Sequence, residues 1–254
     1  APLLTDPVKE TALEAQDQPE PVPVISTEPV LEVMTQTATA QPLTAQTTAP
    51  DTESVDEPAI HNKPEGAAAN IWVLGASLGG PQAVRQFLAS IKPELPVAFI
   101  LAQHIGANHI ALLAEQLDRV TPFRVITGAS GHLIKHHEVV LAPADKTLRI
   151  TDDGYIALSA APENAIYSPS IDNVMTAVAE QYGDMAGTIV FSGMGDDGAR
   201  GCVDIAKHGG VVWAQDVASC VISSMPDQAR KTDTVTYSAD PHTLADRLYH
   251  YYQD

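Results

Sequence analysis

Basic side chains are scarce in this sequence. Lysine and arginine together number 14, against 32 aspartates and glutamates in 254 residues, for a formal net charge of -18. Phosphate backbones are bound by Lys/Arg-rich surfaces, so this balance argues against nucleic acid as a partner and equally against an anionic membrane surface. Long hydrophobic runs are missing as well. The longest, Leu95–Ala102, falls far short of the roughly 18 residues of a membrane span and suits a buried strand with its lead-in. We therefore expect no direct membrane insertion. The two cysteines, Cys202 and Cys220, cannot build a disulfide framework. They read as reduced, buried, small apolar residues of a cytoplasmic protein. No secretory leader opens the chain, and it starts on Ala rather than Met, from which we expect further sequence upstream.

Aromatic residues are absent from residues 1–66, and only one glycine, Gly66, lies there. That stretch holds 12 acidic and 2 basic side chains and 10 of the 19 prolines. It cannot bury enough apolar surface to offset chain entropy, and we expect a disordered acidic linker. A short apolar island, Pro29–Met34, reads as a chance patch or a docking motif. Residues 67–254 contrast with this. They contain all 13 aromatics and 15 of the 16 glycines, enough chain for one domain with a sizeable core.

Strand and helix patterns alternate through this second segment. Ile71–Leu74, Val97–Ala102, Phe123–Ile126, Val139–Ala142, Thr188–Phe191 and Val211–Ala214 read as strands. Helices are expected over Ala83–Ile91, Ile110–Arg119, from a cap at Ser170 to Gln181, and over Gly198–His208. Two more are expected near Pro226–Thr232 and Pro241–Tyr252. Asp152-Asp-Gly154 marks a hairpin between Leu148–Thr151 and Tyr155–Ser159. The implied fold is α/β: a doubly wound, mostly parallel sheet flanked by helices. Right-handed crossovers then gather the loops that follow the strands along one edge, where function is expected.

Three polar groups fall at that edge. Gly75-Ala-Ser77-Leu-Gly79 fits G-x-S-x-G between a strand and a helix, a turn that pushes a serine hydroxyl outward. The helix start behind it offers free N–H groups to an anion or a developing oxyanion. The alternatives are a glycine turn with an incidental capping serine and a phosphate-cradling loop. Gln103-His104 follows the second strand, and His104 there is either a general base or a structural histidine. Ser192-Gly-Met-Gly-Asp-Asp197-Gly follows a later strand, and its aspartate either orients an imidazole or caps a helix. Together they make a hydrolase constellation. The chain order Ser, His, Asp differs from the Ser, Asp, His order of α/β-hydrolases. A triad in that second order can be drawn from Ser77, Asp197 or Asp216, and His242, and it is the weaker arrangement.

Five spaced segments together resemble the CheB-type protein-glutamate methylesterases: Gly75–Pro81, Gln103-His104, Ser168–Asp172, Gly193–Gly198 and Ala214–Val221, with Met225-Pro226 also fitting. The resemblance covers nearly all of 67–254. It implies Ser77 as nucleophile, His104 as base and Asp197 as orienting acid. Asp196 sits where the family often has Asn, which favours Asp197. Leu78, Gly79 and Met194 fall at positions that line the substrate and oxyanion site. The implied activity is hydrolysis of glutamate γ-methyl esters on methyl-accepting chemoreceptors, releasing methanol, with deamidation of receptor glutamines in many members. Flagellar and type IV pilus chemosensory pathways both stay open. The family usually carries a receiver domain, through which a histidine kinase would act, and residues 1–66 are too short for one. Leu78 replaces the usual Thr or Ser, Ser168 a common Arg, and Ser224 a usual Gly.

The remaining features have plainer readings. His132, His136 and His137 lack a convincing third-ligand spacing and read as a surface loop, so neither metal nor cofactor is expected. Asp216 reads as a turn or cap residue, and Tyr249, Tyr251 and Tyr252 as packing for the last helix. Two competing functions remain: a catalytically silent receptor-docking module, and a Rossmann-like phosphate-binding domain built on Gly75–Gly80. The absence of a clear acidic ribose partner counts against the second.

Overall fold

A computed structural model of the chain describes residues 63–253. Most of the acidic segment, including Pro29–Met34, lies outside the described residues. Lys63 is the first described residue, and its ammonium sits 3.0 Å above the ring of Tyr182. Burial there lowers the Lys63 pKa to about 8.

Seven strands form one sheet in the order β3-β4-β2-β1-β7-β8-β9. They are β1 (Ile71–Ala76), β2 (Ala98–Gln103), β3 (Arg124–Thr127), β4 (Glu138–Leu141), β7 (Ala186–Val190), β8 (Val211–Gln215) and β9 (Tyr237–Ala239). Every pairing in it is parallel. Strands β5 (Lys146–Ile150) and β6 (Ile156–Ala160) form a separate antiparallel hairpin. Its turn carries Gly154 at φ 83°. The hairpin matches the Asp-Asp-Gly signal. Strand β9 was not expected, because three residues, Tyr237-Ser-Ala239, are too few to show a period. It pairs as an edge strand with Trp213–Gln215.

Burial on both faces explains the unbroken apolar runs in the central strands. Ile71 and Val73 of β1 point to one core layer, and Trp72, Leu74 and Ala76 to the other. The first layer is covered by α3 (Ile171–Tyr182), α4 (Ala199–Lys207), α5 (Ser224–Arg230) and the hairpin. The second is covered by α1 (Gly80–Ala89), α2 (Ile110–Asp118) and α6 (Pro241–Tyr251), through Phe87, Leu88, Leu117, Leu244 and Leu248. Trp72 and Trp213 meet in this layer with ring centroids 4.7 Å apart, and Trp72 Nε1 donates to the Tyr252 hydroxyl at 2.9 Å.

Strand order places the site. From β1 the chain crosses through α1 to β2 on one side, and from β7 through α4 to β8 on the other. Neighbours β1 and β7 thus send their chains in opposite directions and onto opposite faces. A crevice opens beyond their carboxyl ends, the usual ligand position in such sheets. Ser77 follows β1 and the Ser192–Gly198 loop follows β7.

Candidate active site

Ser77 is fixed by its backbone. Its N–H donates to the Ser192 carbonyl at 3.1 Å, tying the β1 loop to the β7 loop. Its carbonyl accepts from Gly80 N–H at 2.9 Å, which closes a tight turn with Gly79 at φ 82°. A Cβ on Gly79 would lie 2.6 Å from both Ser192 Oγ and Val221 Cβ, so space and backbone conformation both require glycine there. Buried Gln103 adds a clamp, its Nε2 donating to the Ser77 carbonyl at 2.9 Å. Among the described residues the Ser77 hydroxyl has no hydrogen-bond partner, nor do the N–H groups of Leu78, Gly79 and Met194. Leu78 and Gly79 follow Ser77 directly in the turn, and the loop that carries Met194 comes close to it, since a Cβ added at Gly193 would lie 2.8 Å from Ser77 Cβ.

His104 arrives beside this turn because its N–H donates to the Ala76 carbonyl at 2.9 Å, extending the β1–β2 ladder by one residue. Its Nε2 lies 2.9 Å from Asp197 Oδ2. An ionised carboxylate only accepts, so Nε2 carries the proton and Nδ1 remains as the basic nitrogen. The Asp197 side chain is 1% exposed and that of His104 15%. Asp197 has further partners. It accepts from the N–H groups of Ile171 at 2.7 Å and Asp172 at 2.9 Å, the first donors of α3. A helix N-terminus suits an anion.

Asp172 answers in kind. Its Oδ1 accepts from Gly198 N–H at 2.9 Å and Gly201 N–H at 2.7 Å, capping α4. Burial raises the Asp172 pKa, the Gly201 amide opposes that shift, and the nearby Asp197 charge adds to it. Two helices therefore exchange caps, α4 through an aspartate of α3 and α3 through an aspartate of the loop that leads into α4.

The structure brings Ser77, His104 and Asp197 to one edge and leaves the second arrangement apart. His242 Nδ1 lies 2.7 Å from Ser90 Oγ at the end of α1. Asp216 accepts from Ser219 N–H at 2.8 Å and from its hydroxyl at 2.6 Å, closing a local turn. The histidine group is likewise engaged. His132 pairs with buried Glu138 at 2.8 Å, and His136 Nε2 accepts from Ala69 N–H at 2.6 Å. Leu78 and Met194 are each more than half exposed, and with Val221 they give the site an apolar rim.

Several residues of the site carried no assigned role in the sequence. Ser192 is fully buried, and its hydroxyl donates to the carbonyls of Leu78 and Ile222. Gln215 Oε1 accepts from Ser192 N–H at 2.8 Å. Ser192 lies two residues past β7 and Gln215 ends β8, positions that could have drawn attention to them. Tyr167 lies in a loop and stacks on His104. Nothing in its sequence position marks it.

A family model described as CheB methylesterase matches residues 72–248. The chain belongs to the CheB methylesterase family. It is 32% identical over 169 residues to the protein-glutamate methylesterase/protein-glutamine glutaminase 2 of Pseudomonas savastanoi, covering 66% of this chain and 44% of the relative. To a protein of the same designation from Methanosarcina mazei it is 31% identical over 186 residues, 70% of this chain and 51% of the relative. The chain thus spans about half the length of the curated relatives it matches. The crystal structure of the Thermotoga maritima CheB methylesterase catalytic domain superposes with a TM-score of 0.67 at 25% identity, over 70% of this chain and 96% of that one. Among the described residues, no helix is long and apolar enough to cross a membrane.

Proposed function

We propose that this CheB-family domain hydrolyses glutamate γ-methyl esters on chemoreceptor proteins by a Ser77–His104–Asp197 triad. The observation that carries the proposal is the buried 2.9 Å contact between His104 Nε2 and Asp197, at the sheet edge where Ser77 is presented. Nδ1 of His104 takes the Ser77 proton as Oγ attacks the ester carbonyl carbon. The unpaired N–H groups of Leu78, Gly79 and Met194 receive the oxyanion. Collapse expels methanol, which takes its proton from His104, and leaves a glutamyl ester on Ser77. Water, deprotonated by His104, then releases the glutamate carboxylate and restores the serine. A glutamine substrate follows the same path with ammonia as the leaving group.

Asp197 holds the imidazole tautomer and stabilises the imidazolium. Leu78 has no side-chain hydroxyl to offer the oxyanion, so the backbone donors act alone. The test is methanol release from methylated chemoreceptor membranes by wild type and Ser77→Ala. Ser77-dependent release supports hydrolysis. Release from neither protein, with receptor binding retained, leaves the silent docking module that the apolar rim would serve. A rise in melting temperature with nucleotides or inorganic phosphate would instead favour the phosphate-binding reading.

A further inference from the structure

His104 is held at its edge by one group and on its face by another. The edge contact is Asp197. The face contact is Tyr167, whose ring lies parallel to the imidazole, 3° between planes and 5.1 Å between centroids. That is an offset stack, a favoured aromatic arrangement. The Tyr167 hydroxyl donates to Asp196 Oδ1 at 2.9 Å, and this bond raises the phenol pKa. Asp196 immediately precedes Asp197, so one loop anchors both partners of the imidazole. The loop is shaped for this. A Cβ on Gly195 would come within 2.8 Å of the Tyr167 hydroxyl, and Ser224 Oγ braces the Gly195 carbonyl at 3.0 Å.

Two spaces lie next to this pair of rings. Tyr167 and Asp197 line a cavity of about 430 Å³, while His104 lines an open groove of about 450 Å³ beside Ile105 and Gly106. A single hydrogen bond at Nε2 leaves the imidazole free to rotate about that bond. A ring stacked on its face removes that freedom.

We propose that Tyr167 is a positioning residue for the hydrolysis: it fixes the plane of His104 so that Nδ1 points at the Ser77 hydroxyl. This rests on the function proposed above. The test compares wild type, Ser77→Ala, Tyr167→Phe and Tyr167→Leu for methanol release from methylated chemoreceptor membranes. The His104 ring protons are followed by NMR in the same proteins. Tyr167→Leu is expected to lower kcat about ten- to a hundredfold with KM changed by less than about twofold. Tyr167→Phe, which keeps the stack, should retain at least about a third of kcat. The ring-current shift of the His104 protons should vanish in Tyr167→Leu and persist in Tyr167→Phe.

Should Tyr167→Leu not fold, Tyr167→Met removes the ring with a different shape and should lower kcat by a similar factor at unchanged KM. An unchanged kcat in Tyr167→Leu, or a raised KM with kcat intact, overturns the positioning role while Ser77-dependent release keeps the function. His104 shifts indifferent to Tyr167→Leu overturn the stack itself. Wild type without Ser77-dependent release overturns the proposed function, and the tyrosine's role with it.

Discussion

Asp197 serves two structures with one carboxylate. It orients His104 and closes the first two N–H groups of α3. The two roles separate by substitution. Asp197→Asn keeps one acceptor oxygen for the helix, sets its amide NH2 against the other α3 donor, and removes the pure acceptor for Nε2, so the wrong tautomer becomes available. Turnover should fall on the order of 10⁴-fold, with stability lowered by about 1 kcal/mol. Asp197→Ala should remove activity to a similar degree and also destabilise by about 1–3 kcal/mol, because buried amides lose their acceptor. Urea unfolding beside the methanol assay reads both. Equal stability of the two variants would show that the capping bonds contribute nothing. At this scale the sequence marked Ser77, His104 and the Asp197 loop as polar groups after apolar strands, and the fold gathers them at one sheet edge. The sequence was silent on Tyr167, because a stack across 63 residues depends on how two loops meet, and no local pattern encodes that.

Helices α3 and α4 are joined as a pair. Asp197 caps α3 from the loop before α4, and Asp172 caps α4 from the first turn of α3. Thr176 Oγ1 adds a bond to Asp204 at 2.7 Å further along. Gly201 lets the helices approach: a Cβ there would lie 2.6 Å from Met175 Cβ. Gly201→Ala should therefore push α4 outward and cost about 1–3 kcal/mol, although alanine is the better helix former by about 1 kcal/mol. Because α4 follows the Asp197 loop, kcat should fall with stability. A stabilised Gly201→Ala, measured by thermal unfolding, would mean the helices are not tightly packed. The existence of α3 was legible from Ser170 and its apolar period, and that of α4 from the glycines at its ends. The exchange of caps was not, since Asp197 reads alone as a cap of its own helix and Asp172 as an ordinary first-turn acid behind the Ser170 cap. The short edge strand β9 was missed for want of length, whereas the buried runs of β1, β2, β7 and β8 were plain.

The whole domain buries titratable groups that the proposed chemistry does not use, and their raised pKa values weaken it as pH rises. Cys202 is fully buried in the α3–α4 layer, and burial raises its thiol pKa from 9.0 to about 12. A thiol pKa raised in the folded state means that the unfolded chain releases its proton first. Stability from this group is complete below about pH 9 and declines as pH rises from there towards 12. The stability difference between wild type and Cys202→Ala should therefore be constant from pH 7 to 9 and shrink above it. Comparing the pair cancels other alkaline titrations. In native protein near pH 8, Cys202 should be inert to thiol reagents. Cys220, part-exposed with its pKa raised to about 11, should react slowly.

The acidic segment makes the opposite case, because it offers a core almost nothing. Residues 1–62 contain no aromatic side chain and no glycine, and their acidic excess repels itself. We propose that the domain's stability resides in residues 63–254 and draws nothing from residues 1–62. Lys63 belongs with the domain: its ammonium over Tyr182 is a cation–π contact worth about 0.5–2 kcal/mol. Deleting 1–62 should leave the melting temperature within about 2 °C of the full chain, whereas deleting 1–66 should lower it by several degrees. Ser77-dependent methanol release should survive the shorter deletion. A large loss of melting temperature on removing 1–62 alone would show that the domain draws stability from that segment and overturn the proposal.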